Sequence, residues 1–260
     1  MQIVRVQDAE GRILYGRRQG EQVLRIEGSL WDEEGFIVTD EPVEVAELLA
    51  PITPPNIFAI GKNYRGHAQE MGSPPPADPI IFLKATTSLL DPGQPIVLPA
   101  CSQEIDYEGE LAVVIGRETR DVSVEHAMKC VFGYTCANDV TARDWQKRQG
   151  QWVRAKSFDT FCPMGPWIET ELANPQAVTL TTRVNGQIVQ QTSTADMLFP
   201  IAHLISFLSQ DLTLLAGTVI LTGTPEGVGM SRTPPLWLKA GDQVSVSVDG
   251  IGELTSPVSD

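Results

Sequence analysis

The chain is poor in histidine. Only His67, His126 and His203 occur, which argues against a histidine-rich zinc or copper site. Its four cysteines, Cys101, Cys130, Cys136 and Cys162, form no Cys-x-x-Cys pair. They read as reduced thiols of a cytoplasmic protein rather than as a zinc or disulfide framework. Positive charge is also scarce: 19 Lys and Arg stand against 33 Asp and Glu, a net charge of −14. Such a surface repels nucleic acid and anionic membranes, so neither is expected as a partner. No apolar run approaches the roughly 18 residues of a spanning helix. The opening Met1-Gln2-Ile3-Val4-Arg5-Val6 lacks the pattern of a signal peptide. The absence of Gly-x-Ser-x-Gly counts against a serine hydrolase.

What remains is an ordinary globular composition, 42% hydrophobic and 20% charged, with 22 Gly and 19 Pro spread over 260 residues. That length suits one large domain, or a large one with a small one. Short apolar runs at 3–6, 13–16 and 23–26 are separated by turn residues at 8–11 and 20–22. They predict a small β-rich N-terminal domain over residues 1–54, with the proline-bounded 51–55 as linker to a main domain over 55–260. In the main domain, strands are expected at 56–61, 80–84, 105–115, 132–138 and 218–222. A hairpin turning on Asn185-Gly186 is expected over 179–191, and a helix opened by Pro200 carries Ile201, Leu204, Ile205 and Leu208 at helical spacing. Ser123 is expected to cap a short helix that ends before Gly133. The fold class read from this pattern is mostly β with some α (α+β).

The stretch that carries chemistry is Asp106-Tyr107-Glu108-Gly109-Glu110-Leu111-Ala112-Val113-Val114-Ile115. Read as a single strand, it points Glu108 and Glu110 to the same side, with backbones roughly 6–7 Å apart. Two facing carboxylates repel unless a cation lies between them. A generic Glu-x-Glu is a solvated strand edge, but here an apolar continuation on both faces favours a metal site. Asp139 ends the next strand. Thr141-Ala142-Arg143-Asp144 resembles a capping box, so Thr141 caps the following helix and Asp139 is free to be a third carboxylate. A plain turn acid is the ordinary alternative. His67 and Glu70 are three apart on an expected helix over 65–71 and can touch. On spacing alone an incidental pair on a solvated face is the preferred reading. Gly72 and the Pro74-Pro75-Pro76 run beside it would allow a lid. Lys156 sits among apolar neighbours, where it serves an anionic intermediate or simply lies over Phe158. The glycine-rich Gly223-Thr224-Pro225-Glu226-Gly227-Val228-Gly229 follows a strand and offers N–H groups to an anion, without the Gly-Lys-Ser/Thr ending of a nucleotide loop.

Together these segments resemble the fumarylacetoacetate hydrolase family. The resemblance runs from Ile57 to about Val258. It is carried by Gly61-Lys62-Asn63-Tyr64-x-x-His67-x-x-Glu70, by the Asp106–Leu111 run, by Asn138-Asp139-Val140-Thr141-Ala142-Arg143-Asp144-Trp145-Gln146, by Lys156-Ser157-Phe158-Asp159-Thr160-Phe161 and by the 223–229 turn. The resemblance implies a mixed β-roll catalytic domain and a homodimer. It implies one Mg²⁺ or Mn²⁺ per subunit on Glu108, Glu110 and Asp139. It also implies a small-molecule substrate, a short 2-oxo (or 2-hydroxy-enoic) acid. His67 and Glu70 match the family's water-activating dyad, which reverses the preference for an incidental pair. Lys156 matches the lysine that steadies a metal-bound enolate, and Lys62, Arg143, Gln146 and Thr224 match substrate-holding positions. The implied enzyme is a metal-dependent C–C bond hydrolase, lyase or isomerase. Acylpyruvate hydrolysis is placed first because the dyad is intact. Oxaloacetate decarboxylation or tautomerisation and 2-hydroxyhepta-2,4-diene-1,7-dioate isomerisation are the alternatives. A non-catalytic oxo-acid binding protein is the remaining one. Gly66 departs from the family, in which many members carry an acid before the histidine.

Overall fold

The strand Gly109–Ile115 lies in the middle of the molecule, and every residue in it is buried. Alternation sends its side chains to two different cores. Leu111, Val113 and Ile115 pack with Ile201, Leu204, Ile205 and Leu208 of the helix Ile201–Asp211 and with Val246 and Val248. Ala112 and Val114 face the other way, onto Ile3, Ile57, Ile168 and Val219. A strand covered on both faces is apolar at every position, not at alternate ones. This computed structural model describes residues 1–32 and 34–260.

Gly109–Ile115 pairs antiparallel with Val131–Asn138 on one side and with Val219–Leu221 on the other. The sheet continues from Val219–Leu221 through Ile57–Gly61, parallel, to Ile80–Lys84 at its edge. In the opposite direction it passes through Cys162–Glu169 to Gln2–Asp8, and from there along the N-terminal strands. The N-terminal hairpins form as expected, Gln2–Asp8 with Ile13–Gln19 and Ile13–Gln19 with Gln22–Gly28. They extend the same twelve-stranded sheet through the pairing of Gln2 with Glu169 and Ile3 with Ile168. The stretch read as a linker is not a free tether: Pro51, Ile52 and Pro54 are buried, Ile52 within the core that backs the sheet. A second sheet of five strands includes the hairpin Thr179–Val184 and Gln187–Ser193. Asn185 and Gly186 both take positive φ there, 52° and 79°, as the tight turn demands. The molecule is mostly β with some α, and among the described residues no helix is long and apolar enough to cross a membrane. The cysteines are free; burial pushes the Cys136 and Cys162 thiols up to about 12.

Three local expectations fail for identifiable reasons. The run 105–115 is not one strand. Ile105–Asp106 pairs with Thr141–Ala142, and the ladder resumes only at Gly109. Thr141 does not cap the next helix: its residues pair with Ile105–Asp106, its hydroxyl donates to the Asp139 carbonyl at 2.8 Å, and the helix Arg143–Arg148 starts without a side-chain cap. Ser123 likewise makes no capping bond to the backbone; its hydroxyl meets His126 Nδ1 at 3.2 Å.

Candidate metal centre

Glu108, Glu110 and Asp139 converge although the strand is broken, and their carboxylate oxygens lie within 4.8 Å of one another. Glu108 sits in the break and Glu110 is the second residue of the resumed strand. Asp139 follows the partner strand, and its N–H donates to the Glu108 carbonyl at 2.8 Å. Gly109, between the two glutamates, is pinned by Gln190 Oε1 on its N–H at 3.0 Å and by the Thr224 hydroxyl on its carbonyl at 3.0 Å. A Cβ at Gly109 would run into Thr182 Oγ1, so glycine lets the second sheet press against the site.

All three acids are buried, and so are the cations around them. Lys156 Nζ donates to Glu108 Oε2 and Asp139 Oδ2, both at 2.6 Å. The alternative of a surface lysine over Phe158 is thus set aside: Lys156 is 2% exposed, and Phe82 is the ring 5.2 Å beneath its ammonium. Arg143 spans Asp106 Oδ2 at 2.8 Å and Glu108 Oε1 at 2.7 Å, and donates to Gln146 Oε1 at 3.0 Å. Two members of this network carried no assigned role in the sequence. Lys84 Nζ lies 2.6 Å from Asp139 Oδ1 and also donates to the Lys156 carbonyl. Asp106 holds Arg143 and accepts from the N–H groups of Gly229 and Met230, at 2.7 and 3.0 Å. The signal for Lys84 was present, a lone charge closing the apolar Ile80–Lys84 strand. For Asp106 nothing local distinguished it from a solvated acid.

The glycine-rich turn does bind anions, but they are the protein's own. Gly223 N–H donates to Glu110 Oε2 at 2.6 Å, and Gly227 N–H to Glu70 Oε2 at 2.9 Å. Glu70 in turn meets His67 Nδ1 at 2.8 Å. Burial alone would raise the Glu70 pKa; the His67 bond and the Gly227 N–H outweigh it and hold the carboxyl below its ordinary range. The Glu226 carboxylate occupies the space where a Cβ of Gly66 would stand.

Four buried carboxylates, Asp106, Glu108, Glu110 and Asp139, face three buried cations, Lys84, Arg143 and Lys156. The acid left over is Glu110, whose only hydrogen-bond partner among the described residues is the Gly223 N–H. Burial and the charges of Asp139 and Glu108 push it well above the usual carboxyl range. Burial would do the same to Glu108, but Lys156 and Arg143 reverse it and hold that carboxyl low. A donor set of carboxylate oxygens with one uncompensated member fits a hard divalent cation of the Mg²⁺ type.

A cavity of about 170 Å³ opens above this floor. His67, Glu108, Arg143, Gln146, Lys156, Thr224 and Lys62 all line it, while Glu70 stands behind His67. The Thr224 hydroxyl also accepts from Gln190 at 2.8 Å, so its bonds are largely taken by the scaffold. Sequence reasoning missed the apolar wall of Ile60, Met71, Phe82, Trp152 and Met230.

The family description "Fumarylacetoacetate (FAA) hydrolase C-terminal" matches residues 56–259. The chain belongs to the fumarylacetoacetate hydrolase family. A second description, "Rv2993c-like, N-terminal", matches residues 1–51. Among fumarylacetoacetate hydrolase relatives, an uncharacterized protein of Archaeoglobus fulgidus is 46% identical over 94% of this chain and 93% of its own. The human protein named oxaloacetate tautomerase FAHD2A, mitochondrial, is 44% identical over 84% of this chain and 71% of its own. Among solved structures, 5-carboxymethyl-2-hydroxymuconate delta-isomerase from Mycobacterium smegmatis superposes with a TM-score of 0.86 at 44% identity, covering 100% of this chain and 98% of that one. These relatives make the chain an enzyme of this family.

Proposed function

We propose that the protein interconverts the keto and enol forms of short 2-oxo acids, with one Mg²⁺ or Mn²⁺ held by Glu108, Glu110 and Asp139. The observation that carries this reading is one cavity lined by His67, the buried Lys156 ammonium and Glu108, the last a member of the acidic cluster whose Glu110 has no cation partner among the described residues. The names of relatives at 44% identity, an oxaloacetate tautomerase and a muconate isomerase, support moving the proton shift ahead of hydrolysis.

The residues divide the work. Glu70 accepts the Nδ1 proton of His67 and is itself fixed by the Gly227 N–H, so Nε2 is the basic ring nitrogen. Nε2 takes a proton from C3 of the substrate. The electron pair of that C–H bond becomes the C2–C3 double bond, and the carbonyl pair moves onto the C2 oxygen. Lys156 places its ammonium where that negative charge grows, and the proton taken up by His67, returned to the oxygen, completes the enol and restores the base. Arg143, bound to Gln146, presents a fixed guanidinium to the substrate carboxylate. The bound cation would act as a Lewis acid towards the oxo and carboxylate oxygens. Acylpyruvate hydrolysis is a second reading, favoured by the intact His67–Glu70 pair, which can equally take a proton from water.

The rates of three reactions test these readings: oxaloacetate tautomerisation, oxaloacetate decarboxylation and acetylpyruvate cleavage. A chelator should abolish tautomerisation and Mg²⁺ or Mn²⁺ should restore it. His67→Ala should slow it about a hundredfold or more, the usual contribution of a general base. Lys156→Met should lower all three rates. Should His67→Ala spare tautomerisation and stop only acetylpyruvate cleavage, the hydrolase reading replaces this one.

A further inference from the structure

The hairpin Thr179–Val184 and Gln187–Ser193 belongs to the second sheet, yet one of its side chains reaches the acidic cluster. Regular alternation along a strand would bury every second residue. Here Val189 and Gln190 are adjacent and both buried. The register explains it. Thr182 pairs with Gln190 but Arg183 pairs with Ile188, so Val189 is an extra residue, a β-bulge. Its carbonyl accepts from Arg232 Nη2 at 2.6 Å, and a Cβ on Gly227 would collide with that carbonyl. A bulge re-aims a side chain, and the one re-aimed here is Gln190.

Gln190 is 2% exposed, and a buried amide is costly unless its polar atoms are bonded. All of them are. Oε1 accepts the Gly109 N–H at 3.0 Å. Nε2 donates to the Thr224 hydroxyl at 2.8 Å and to the Pro225 carbonyl at 2.9 Å. The Thr224 hydroxyl donates to the Gly109 carbonyl at 3.0 Å, which closes a ring. The Gly109 N–H requires the amide oxygen and the Pro225 carbonyl requires the NH₂, so the amide has one orientation. Gly109 is the residue between Glu108 and Glu110. The ring therefore grips, at both backbone polar atoms, the residue that separates two of the clustered acids. The strand ladder resumes only at Gly109, so the ladder alone does not set the spacing of the two glutamates. An amide carries no charge, so Gln190 does this without competing with the acids for Lys84, Arg143 or Lys156.

We infer that Gln190 is a positioning residue of the metal centre: from the second sheet it fixes the Glu108–Gly109–Glu110 backbone and ties it, through Thr224, to the cavity wall. The inference rests on the proposed divalent cation and adds to its acids an uncharged partner on the hairpin. Loss of a partner that holds metal ligands in place weakens metal binding about ten- to a hundredfold.

The test is calorimetric Mn²⁺ binding to the folded protein without substrate, set beside its stability to denaturant. Gln190→Met keeps the volume and removes every bond of the amide. It should weaken Mn²⁺ binding about ten- to a hundredfold. Gln176 supplies the control. Its amide also bridges two segments, donating to the Thr194 carbonyl at 2.7 Å and accepting the Ile201 N–H at 3.0 Å, neither of them part of the acidic cluster. Gln176→Met should lower stability and leave Mn²⁺ affinity unchanged. Thr224→Val breaks the same ring at its other member and should also weaken Mn²⁺ binding. Should Gln190→Met fail to fold, Thr224→Val carries the test alone. Unchanged Mn²⁺ affinity in folded Gln190→Met, or in Thr224→Val, would overturn the inference and make Gln190 a strut between the sheets. Equal weakening in Gln176→Met would overturn it as well, since affinity would then follow stability alone. No Mn²⁺ binding by the unaltered protein would remove the metal reading and this inference with it, a result distinct from intact binding that ignores Gln190.

Discussion

At the scale of residues, the site is a charge balance with one open place. Asp106, Glu108 and Asp139 each meet a lysine or arginine at 2.6–2.8 Å, and among the described residues Glu110 meets none. Breaking one of those buried pairs by removing a partner strands a charge and costs about 3–5 kcal/mol. Glu110 is the exception, because replacing it strands nothing. Glu110→Gln keeps the volume, removes the acid without a cation and retains an oxygen for the Gly223 N–H. The metal-free variant should therefore melt at or above the temperature of the unaltered protein. Its calorimetric Mg²⁺ or Mn²⁺ signal should disappear. Unchanged affinity in that variant would place the ion on other residues. Both glutamates were legible from the sequence, since the Glu-x-Glu spacing ahead of an apolar run singled them out. For Lys84 the apolar strand it closes hinted at burial, but its partner was not legible, because Asp139 lies 55 positions away.

At the scale of elements, two pieces of chain do most of the positioning. The turn after Val219–Leu221 supplies N–H groups to Glu110, Glu70 and Asp106, so one loop sets the metal cluster, the dyad and the arginine clamp together. Its glycines were read correctly as an anion cradle. What could not be read was which anion, because the acids come from segments 113 and 157 positions away. The strand Gly109–Ile115 carries Glu110 at one end and a doubly covered apolar run behind it. That burial anchors the acid against repulsion from its neighbours. Leu111, 0% exposed, sits next to Glu110 in the strand, and Leu111→Ala should cost about 2–5 kcal/mol by chemical denaturation. Metal affinity should weaken too as the ladder loosens. A cost under about 1 kcal/mol would mean that the strand is not the anchor argued here.

At the scale of the whole molecule, the edge of the large sheet stands out. The edge strand Ile80–Lys84 buries Lys84 in the site and leaves Ile81 and Leu83 37% and 46% exposed. An open, apolar sheet edge invites association, and Val153 nearby in sequence to the site's Lys156 is exposed as well. The homodimer implied by the family resemblance would find a surface here. Light scattering at micromolar concentration should give twice the 28.4 kDa chain mass. Leu83→Lys should shift the protein towards the monomer, and a monomer mass for the unaltered chain would refute the dimer.

By itself the sequence determined what depends on a few neighbouring residues. It specified the N-terminal hairpins, the Asn185-Gly186 turn, the helix opened by Pro200 and the buried character of the central strand. Period, turn chemistry and apolar runs act over a handful of positions, so they can be read along the chain. The same locality explains the failures at Thr141 and Ser123. Their side chains suit a helix start, but Thr141 was claimed by the carbonyl of Asp139 and Ser123 by His126. Tertiary structure alone decided that the run 105–115 breaks at Tyr107 and Glu108, since Ile105–Asp106 has a different partner strand from Gly109–Ile115. It alone decided the pairing of acids with Lys84, Lys156 and Arg143. Those outcomes follow from strand order in the sheet. Strand order brings together groups far apart in the chain, in an interior where an ionic group must find a partner.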